Sequence, residues 1–376
     1  MNLKPQKIKE IFFVFFKLGC IAFGGPAAHI SMMENEVVTK RKWMTRQYFL
    51  DMVGATNLIP GPNSTQMTMH CGHVRGGWLG LWVGGLAFIV PAIFFTLILA
   101  IIYGEYGEIP AIAPFFYGIK PAVIGLVFSA CFKLGKKAFK SWFLIVLGIS
   151  IALMSIAGID EFILIITSGL IGIIWFNLLA LKNNTFTITP IFLLIKPIGL
   201  AIGNKSIFIS FLKIALILFG SGYVLIAYID AELIEKLGWL TKQQLLDAIA
   251  MGQFTPGPIL TTATFVGYQL NGVSGALWAS LGMFLPSFFL VGILVKLIPV
   301  LRKSKTLSNF LNAVNAGAVG IMIAISLKLS YELIFDWRSS LIMAISIFVA
   351  FKFKNVSSFF IIMAGGILGY LLLLIP

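Results

Sequence analysis

The sequence predicts an all-α polytopic membrane protein made of two inverted-topology repeats, and three observations carry that prediction. First, 59% of the 376 residues are hydrophobic, only 11% are charged, and the mean hydropathy is +0.98; a soluble domain carries about 25% charged residues. Second, the chain matches itself at a near-constant offset. Third, the charges of equivalent loops change sign between the two copies.

The hydrophobic content is gathered into runs at 78–103, 111–133, 142–158, 162–181, 273–299, 316–334, 340–351 and 357–375. Many approach the ~20 residues that span hydrocarbon as a helix. The N-terminal apolar stretch is interrupted and has no cleavage-type pattern, so no signal peptide is read there. A formal net charge of +14 raises nucleic acid as a partner, but the basic residues sit in short clusters between apolar runs, as in cytoplasmic loops. No basic face or nucleic-acid motif accompanies them. Cys20, Cys71 and Cys131 are scattered and odd in number, which implies no disulfide framework.

The repeat is carried by residue types that composition alone does not align. Phe23 and Phe219 stand 196 residues apart, as do Pro60 and Pro256, Lys17 and Lys213, Glu36 and Glu232, Trp43 and Trp239, and Asp51 and Asp247. Thr65 with Thr261, Gly76 with Gly272 and Trp82 with Trp278 read at the same offset. Further along it becomes 195: Pro91 with Pro286, Gly125 with Gly320, Lys133 with Lys328, Trp142 with Trp337. This divides the chain into a first repeat (1–181), a linker (182–205) and a second repeat (206–376).

In the first repeat "TKRKWMTR" (39–46) and "KKAFK" (136–140) are basic, and "GEYGE" (104–108) and "IDE" (159–161) acidic. In the second, "DAELIEK" (230–236) and "YELIFD" (331–336) hold the acids while "RKSK" (302–305) and "KFK" (352–354) are basic. By the positive-inside rule the equivalent loops lie on opposite faces, as in many secondary transporters. The N-terminus is expected on the cytoplasmic side of a cell inner (plasma) membrane. The marginal apolar piece at 188–203 is then needed as a short crossing helix.

Each repeat opens with two helices broken by glycine and proline: Gly24-Gly25-Pro26 and Pro60-Gly61-Pro62, then Gly220-Ser221-Gly222 and Pro256-Gly257-Pro258. Four transmembrane helices follow each pair. Proline ends or kinks a helix, and glycine turns through angles closed to other residues. Within hydrocarbon the freed backbone groups persist only against protein or a watery cavity. A helix restarting after such a break presents unpaired N–H groups and partial positive charge to an anion. Asn57, Asn63, Ser64, Thr65 and Gln66 add neutral polar groups in the first repeat, and Gln253, Thr255, Thr261 and Thr262 in the second. Re-entrant hairpins are favoured over kinked full spans, because they keep 39–46 inside.

Several of these stretches carry a family resemblance. "FGGP" (23–26), "GPNSTQ" (61–66), "GWLTKQQLLDAIAMGQFTPGPI" (238–259) and "TATFVGYQLNGVSGALWASLGMFLPSF" (262–288) resemble the chromate ion transporter family in its long, two-domain form, over nearly the whole chain. The resemblance implies transport of an oxyanion, usually efflux of chromate, with sulfate as its natural look-alike. It implies no cofactor and no enzymatic activity; a homodimer is a candidate assembly. One departure is that "FGSG" followed by Tyr223 replaces "FGGP" in the second repeat, so the halves are not interchangeable.

Other polar residues have more than one reading. Lys120, in "GIKPAVIG" and matched by Asn315, either pairs with a carboxylate, meets the anion or snorkels to an interface. Asp51 and Asp247 carry protons, balance Lys17 and Lys213, or stabilise helix ends. Glu36 and Glu232 read as interfacial caps or loop partners. His29, matched by Leu225, is a proton or anion contact or a buried polar residue, and Arg75 an inside anchor or an attractor of anions. The pair His70 and His73 in "HCGH" lacks further ligands nearby and has Val266 and Gln269 as counterparts, so no metal site is predicted. With the acidic residues those histidines supply the alternative reading, an intramembrane enzyme or lipid-handling protein. Inverted duplication with paired breaks favours the transporter.

Overall fold

The computed structural model describes residues 5–22, 26–106, 113–180, 202–219, 222–301, 305–333, 336–353 and 356–374. Gly24, Gly25, Gly220, Ser221 and nearly all of the 188–203 segment lie outside these residues.

The described chain is helical throughout, and its helices fall into two matching sets. The first holds α1 (Pro5–Ile21), α2 (Pro26–Glu34) running into a π-helical turn (Asn35–Lys40), α3 (Arg46–Thr56), α4 (Asn63–Tyr106), α5 (Ala113–Ala138), α6 (Trp142–Ile156) and α7 (Glu161–Ala180). The second holds α8 (Asn204–Ile217), α9 (Leu225–Ile229) running into a π-helical turn (Asp230–Lys236), α10 (Lys242–Phe254), α11 (Thr262–Leu301), α12 (Lys305–Leu333), α13 (Trp337–Lys352) and α14 (Ser358–Leu373). Even the π-helical turns recur, at Asn35 and Asp230. By length and composition, four helices among the described residues can cross a membrane: those within 63–106, 114–138, 259–295 and 308–331.

The breaks are reversals of chain direction. Tyr48 pairs with His70 across 3.2 Å and Thr56 donates to Asn63 at 2.9 Å, so α3 and the start of α4 run antiparallel around Pro60-Gly61-Pro62. Around the first break, Trp43 donates to Glu10 at 3.2 Å and Arg41 lies 3.7 Å from the same carboxylate, which returns the chain to the start of α1. Such reversals are the chain geometry that a hairpin requires.

A third reversal lies inside α4. Gly76 (φ −136°) and Gly77 (φ 62°, ψ −151°) leave helical geometry, and the helix folds back on itself. A Cβ on Gly72 would collide with the Gly80 carbonyl, and one on Gly84 would sit 2.7 Å from the Thr68 carbonyl. The glycines are what let the two limbs, 63–75 and 78–106, touch backbone to backbone. In α11 the same turn occurs at Asn271 and Gly272 (φ 56°, ψ −151°), and Thr264 bonds Ser280 across it at 2.8 Å.

These angles correct the repeat register. Gly77, not Gly76, is the counterpart of Gly272, so the pairings of Gly76 with Gly272 and of Trp82 with Trp278 are one residue out. The offset has already dropped to 195 because α11 is preceded by a 3₁₀ turn (Ile259–Thr261) where α4 begins directly at Asn63. Three residues at about 2.0 Å rise cover the ~6 Å that four α-helical residues cover.

The repeats are intertwined. The long limbs of α4 and α11 pack antiparallel, with Trp82 stacked on Phe288 at 4.5 Å and Gly292 against Trp78. Helix α5 packs on α13 and α14 of the other repeat, and α12 packs on α6 and α7. Glycines allow these exchanged contacts: Gly118 meets Gly365 and Gly369, and Gly320 meets Gly148. Phe94, Trp142, Phe289 and Phe360 remain largely exposed on the outside, a surface suited to hydrocarbon.

Candidate functional site

Four helix ends converge at the centre, and a reciprocal pair of hydrogen bonds joins them. Gly61 N–H donates to the Leu218 carbonyl at 2.7 Å, and Gly257 N–H donates to the Ala22 carbonyl at 2.8 Å. Ala22 and Leu218 end α1 and α8 and are themselves equivalent in the repeat. Each Pro-Gly-Pro tip thus satisfies a carbonyl freed by the break of the opposite repeat. Gly61 (φ 112°) and Gly257 (φ 93°) occupy the left-handed side of backbone space that the turn requires.

Side chains also reach carbonyls at these helix ends. His29 Nε2 lies 3.0 Å from the Ala22 carbonyl, and the Tyr228 hydroxyl donates to Ile217 at 3.1 Å. His29 therefore serves the break from which it was predicted to act, as a cap on backbone.

At the first tip the predicted residues divide. Asn57 and Asn63 bond each other, Asn57 also donates to Val53 at 2.8 Å, and both are spent in closing the hairpin. Ser64, Thr65 and Gln66 are buried. Gln66 Nε2 donates to the Pro60 carbonyl at 2.6 Å. Thr65 Oγ1, Gln66 Oε1 and the hydroxyl of Ser287 have no partner. Ser287 comes from α11, and a Cβ on Gly61 would lie 2.7 Å from both its hydroxyl and Gln66 Nε2. The helix that starts here has, by geometry, its first N–H groups free of intrahelical carbonyls.

The second tip is arranged otherwise. Thr255, Thr261 and Thr262 donate to the carbonyls of Gly252, Pro258 and Ile259 at 3.1, 3.0 and 2.8 Å. Gln253 lies near Tyr223, and its Nε2 is unpartnered. Gly222 lies beside Ile259 and Leu260.

Charged candidates lie away from the tips. Lys120 Nζ is 3.2 Å from Asp247 Oδ1, and Tyr103 donates to Oδ2 at 2.7 Å. Asp247 sits seven residues before the end of α10, about 10 Å from the tip along the helix. Of the readings open for Lys120, the ion pair is the one the structure forms. Asp247 does not balance Lys213, which pairs with Glu232 at 3.2 Å. Asp51 is partly exposed and accepts from Gln47 at 3.1 Å, so the two equivalent aspartates have unlike surroundings. Glu36 binds Lys40 and Arg41, and Glu232 also binds Lys236, so both residues, read as interfacial caps or loop partners, form ion pairs with nearby basic residues. Arg75 pairs with Glu10 at 2.8 Å and lies over Trp43. His70 faces Tyr48 while His73 packs on Trp78.

Sequence reasoning missed Ser287, Tyr103 and Glu10. For Ser287 a signal existed: at the 195 offset its counterpart is Ala92, so "PS" replaces "PA" after an equivalent proline.

A family model described as chromate transporter matches residues 9–173 and again 205–370, one match per repeat. A probable chromate transport protein of Synechococcus elongatus is 29% identical over 92% of this chain and 90% of its own length. A chromate transport protein of Pseudomonas aeruginosa is also 29% identical, over 98% of this chain and 93% of its own. An uncharacterised transporter of Bacillus subtilis is 26% identical over 43% of this chain yet 93% of itself, the length of one repeat. No solved structure matches. With both repeats accounted for by one family model, the chain belongs to the chromate transporter family.

Proposed function

We propose that this protein is a secondary transporter of an inorganic oxyanion, exporting chromate, with sulfate as a competing or exchanged ion. One observation carries this reading: helix breaks from both repeats meet at a centre where the buried hydroxyls of Thr65 and Ser287 stand without partners beside the start of α4. Those neutral groups, with the first N–H groups of α4, suit an anion that must bind and then leave. Arginine or lysine there would hold it more tightly.

Antiparallel packing of the equivalent long helices supports inverted topology, and so does the swapped charge of the loops. Two inverted halves around one centre are the arrangement in which one half rocks against the other. The N-terminus and 39–46 are cytoplasmic in this reading, the membrane is the cell inner membrane, and a homodimer is its candidate assembly. Catalysis has no part in it.

A dianion leaving a negative-inside cell gains about 4.6 kcal/mol per 100 mV, twice the ~2.3 kcal/mol per charge. Export driven by the potential follows. In proteoliposomes with a potassium–valinomycin potential, labelled chromate is expected to move toward the positive side and to reverse with the potential, and excess sulfate to slow it. Flux that ignores the potential and follows a proton gradient or an opposing sulfate gradient would overturn the proposed direction and leave electroneutral exchange.

A further inference from the structure

The two hairpin tips share a backbone plan and differ in which polar groups remain free. At the second tip all three threonine hydroxyls are committed to carbonyls. The residue of the other repeat's long helix that faces it is Ala92, whose methyl lies 2.6 Å from where a Cβ on Gly257 would stand. At the first tip the equivalent place is taken by Ser287, with its hydroxyl 2.7 Å from the corresponding point on Gly61. Ser287 is 1% exposed and Thr65 is fully buried, and both hydroxyls lack a partner.

We propose that the hydroxyl contacts to the anion come from one side of the pseudo-symmetric centre, from Thr65 and Ser287 at the first turn of α4, while the second tip offers only the amide of Gln253. This rests on the oxyanion-transport reading above. An unpartnered hydroxyl in a dry interior destabilises the empty protein, since it has given up water and received nothing. Ala92 demonstrates that the fold accepts a methyl at the equivalent place. The hydroxyl therefore has a use that packing does not supply.

A tetrahedral oxyanion offers acceptors in several directions, matching hydroxyl donors from α11 and α4 and the N–H groups of Asn63, Ser64 and Thr65. Gln66 Oε1 only accepts and has no part in holding a dianion; its amide braces Pro60 instead. Because one repeat supplies the helix start and the other supplies Ser287, movement between the halves pulls the two sets of donors apart. Release is thereby tied to the conformational change.

The test compares Ser287→Ala and Thr65→Val with Thr261→Val, Thr262→Val and Ala92→Ser, using radiolabelled chromate and sulfate in proteoliposomes. Loss of one hydrogen bond to a charged ligand weakens binding by about tenfold or more. The first two variants are expected to raise apparent KM by about that factor, and the other three to stay within about twofold. Ligand-free Ser287→Ala is expected to melt no lower than wild type, which a structural hydroxyl would not allow. Thr261→Val matching Ser287→Ala in KM would overturn the one-sided site. So would a lowered melting temperature for Ser287→Ala with KM unchanged. A wild type that carries neither ion refutes the transport reading itself, and the assignment falls with it.

Discussion

Replacing Lys120 by methionine tests whether charge joins α5 of one repeat to α10 of the other. The ammonium lies 3.2 Å from Asp247 Oδ1, with side chains 14% and 3% exposed. At that distance the attraction is about 5 kcal/mol for an effective dielectric constant of 20. Desolvation of both groups offsets much of it. The larger effect comes from stranding one partner. Without Lys120 the carboxylate has Tyr103 but no cation that the structure pairs with it, and its best escape is to take up a proton. At pH 7 that costs about 1.36 × (7 − 3.9), or ~4 kcal/mol, which caps the penalty. The stranded acid binds its proton in the folded protein before the unfolded chain does, so the deficit grows as pH rises and shrinks as pH falls, by about 1.4 kcal/mol per unit.

Asp247→Asn is expected to cost less, because a lysine's long stem carries its charge toward water. The double variant Lys120→Met/Asp247→Asn removes both charges and should lie within about 2 kcal/mol of wild type. Thermal unfolding of the four proteins in detergent, followed by tryptophan fluorescence between pH 5 and 8, gives the order. Lys120→Met is lowest at pH 8, and the double variant is nearest wild type. A double variant as unstable as the two singles added together would refute the pairing.

Three further outcomes are expected. Single cysteines at Thr39 and Glu235, in a background without Cys20, Cys71 and Cys131, should react with an impermeant thiol reagent from opposite sides of the membrane; labelling from one side would end the inverted arrangement. Gly72→Ala should abolish folded protein in size-exclusion profiles, because its Cβ meets the Gly80 carbonyl, whereas Gly54→Ala, in open space on α3, should gain about 0.5–1 kcal/mol of helix stability. Burial works to raise the Asp336 carboxyl, but hydrogen bonds from Tyr117 and Ser339 and the Arg338 charge outweigh it and hold the group below the ordinary aspartate range. Its cap on α13 is then complete at neutral pH and is lost only as pH falls through that lowered value; melting curves that weaken between pH 7 and 5 in wild type but not in Asp336→Asn would contradict this.

The duplication, the breaks and the long apolar helices shared by the two repeats were legible because glycine, proline and tryptophan align independently of hydropathy. The start of the first long crossing limb at 78 was legible too, as the edge of an apolar run. The reversal just before it was not. Gly76 and Gly77 sit in a stretch that otherwise reads as helix, and only the Gly72–Gly80 and Thr68–Gly84 contacts reveal that the limbs fold together. The slip of register from 196 to 195 was legible but its place was not, because a 3₁₀ turn leaves no mark in a run of threonines and leucines. At the site, the sequence located the tips but not which of their polar groups are already bonded. Thr261 and Thr65 are the same residue at equivalent places, and only coordinates distinguish the spent hydroxyl from the free one.

The exchange of helices between repeats also sets a timetable for synthesis. Helix α5 is complete at Ala138, but α13 and α14, which pack along it, begin at Trp337, about 200 residues later. At ~5–20 residues per second the ribosome needs about 10–40 s to deliver them. Through that interval Gly118 and Lys133 lack the partners that α14 and α13 supply in the finished fold. For that interval the first half of the chain is made but the contacts that the second half brings to it are still to come.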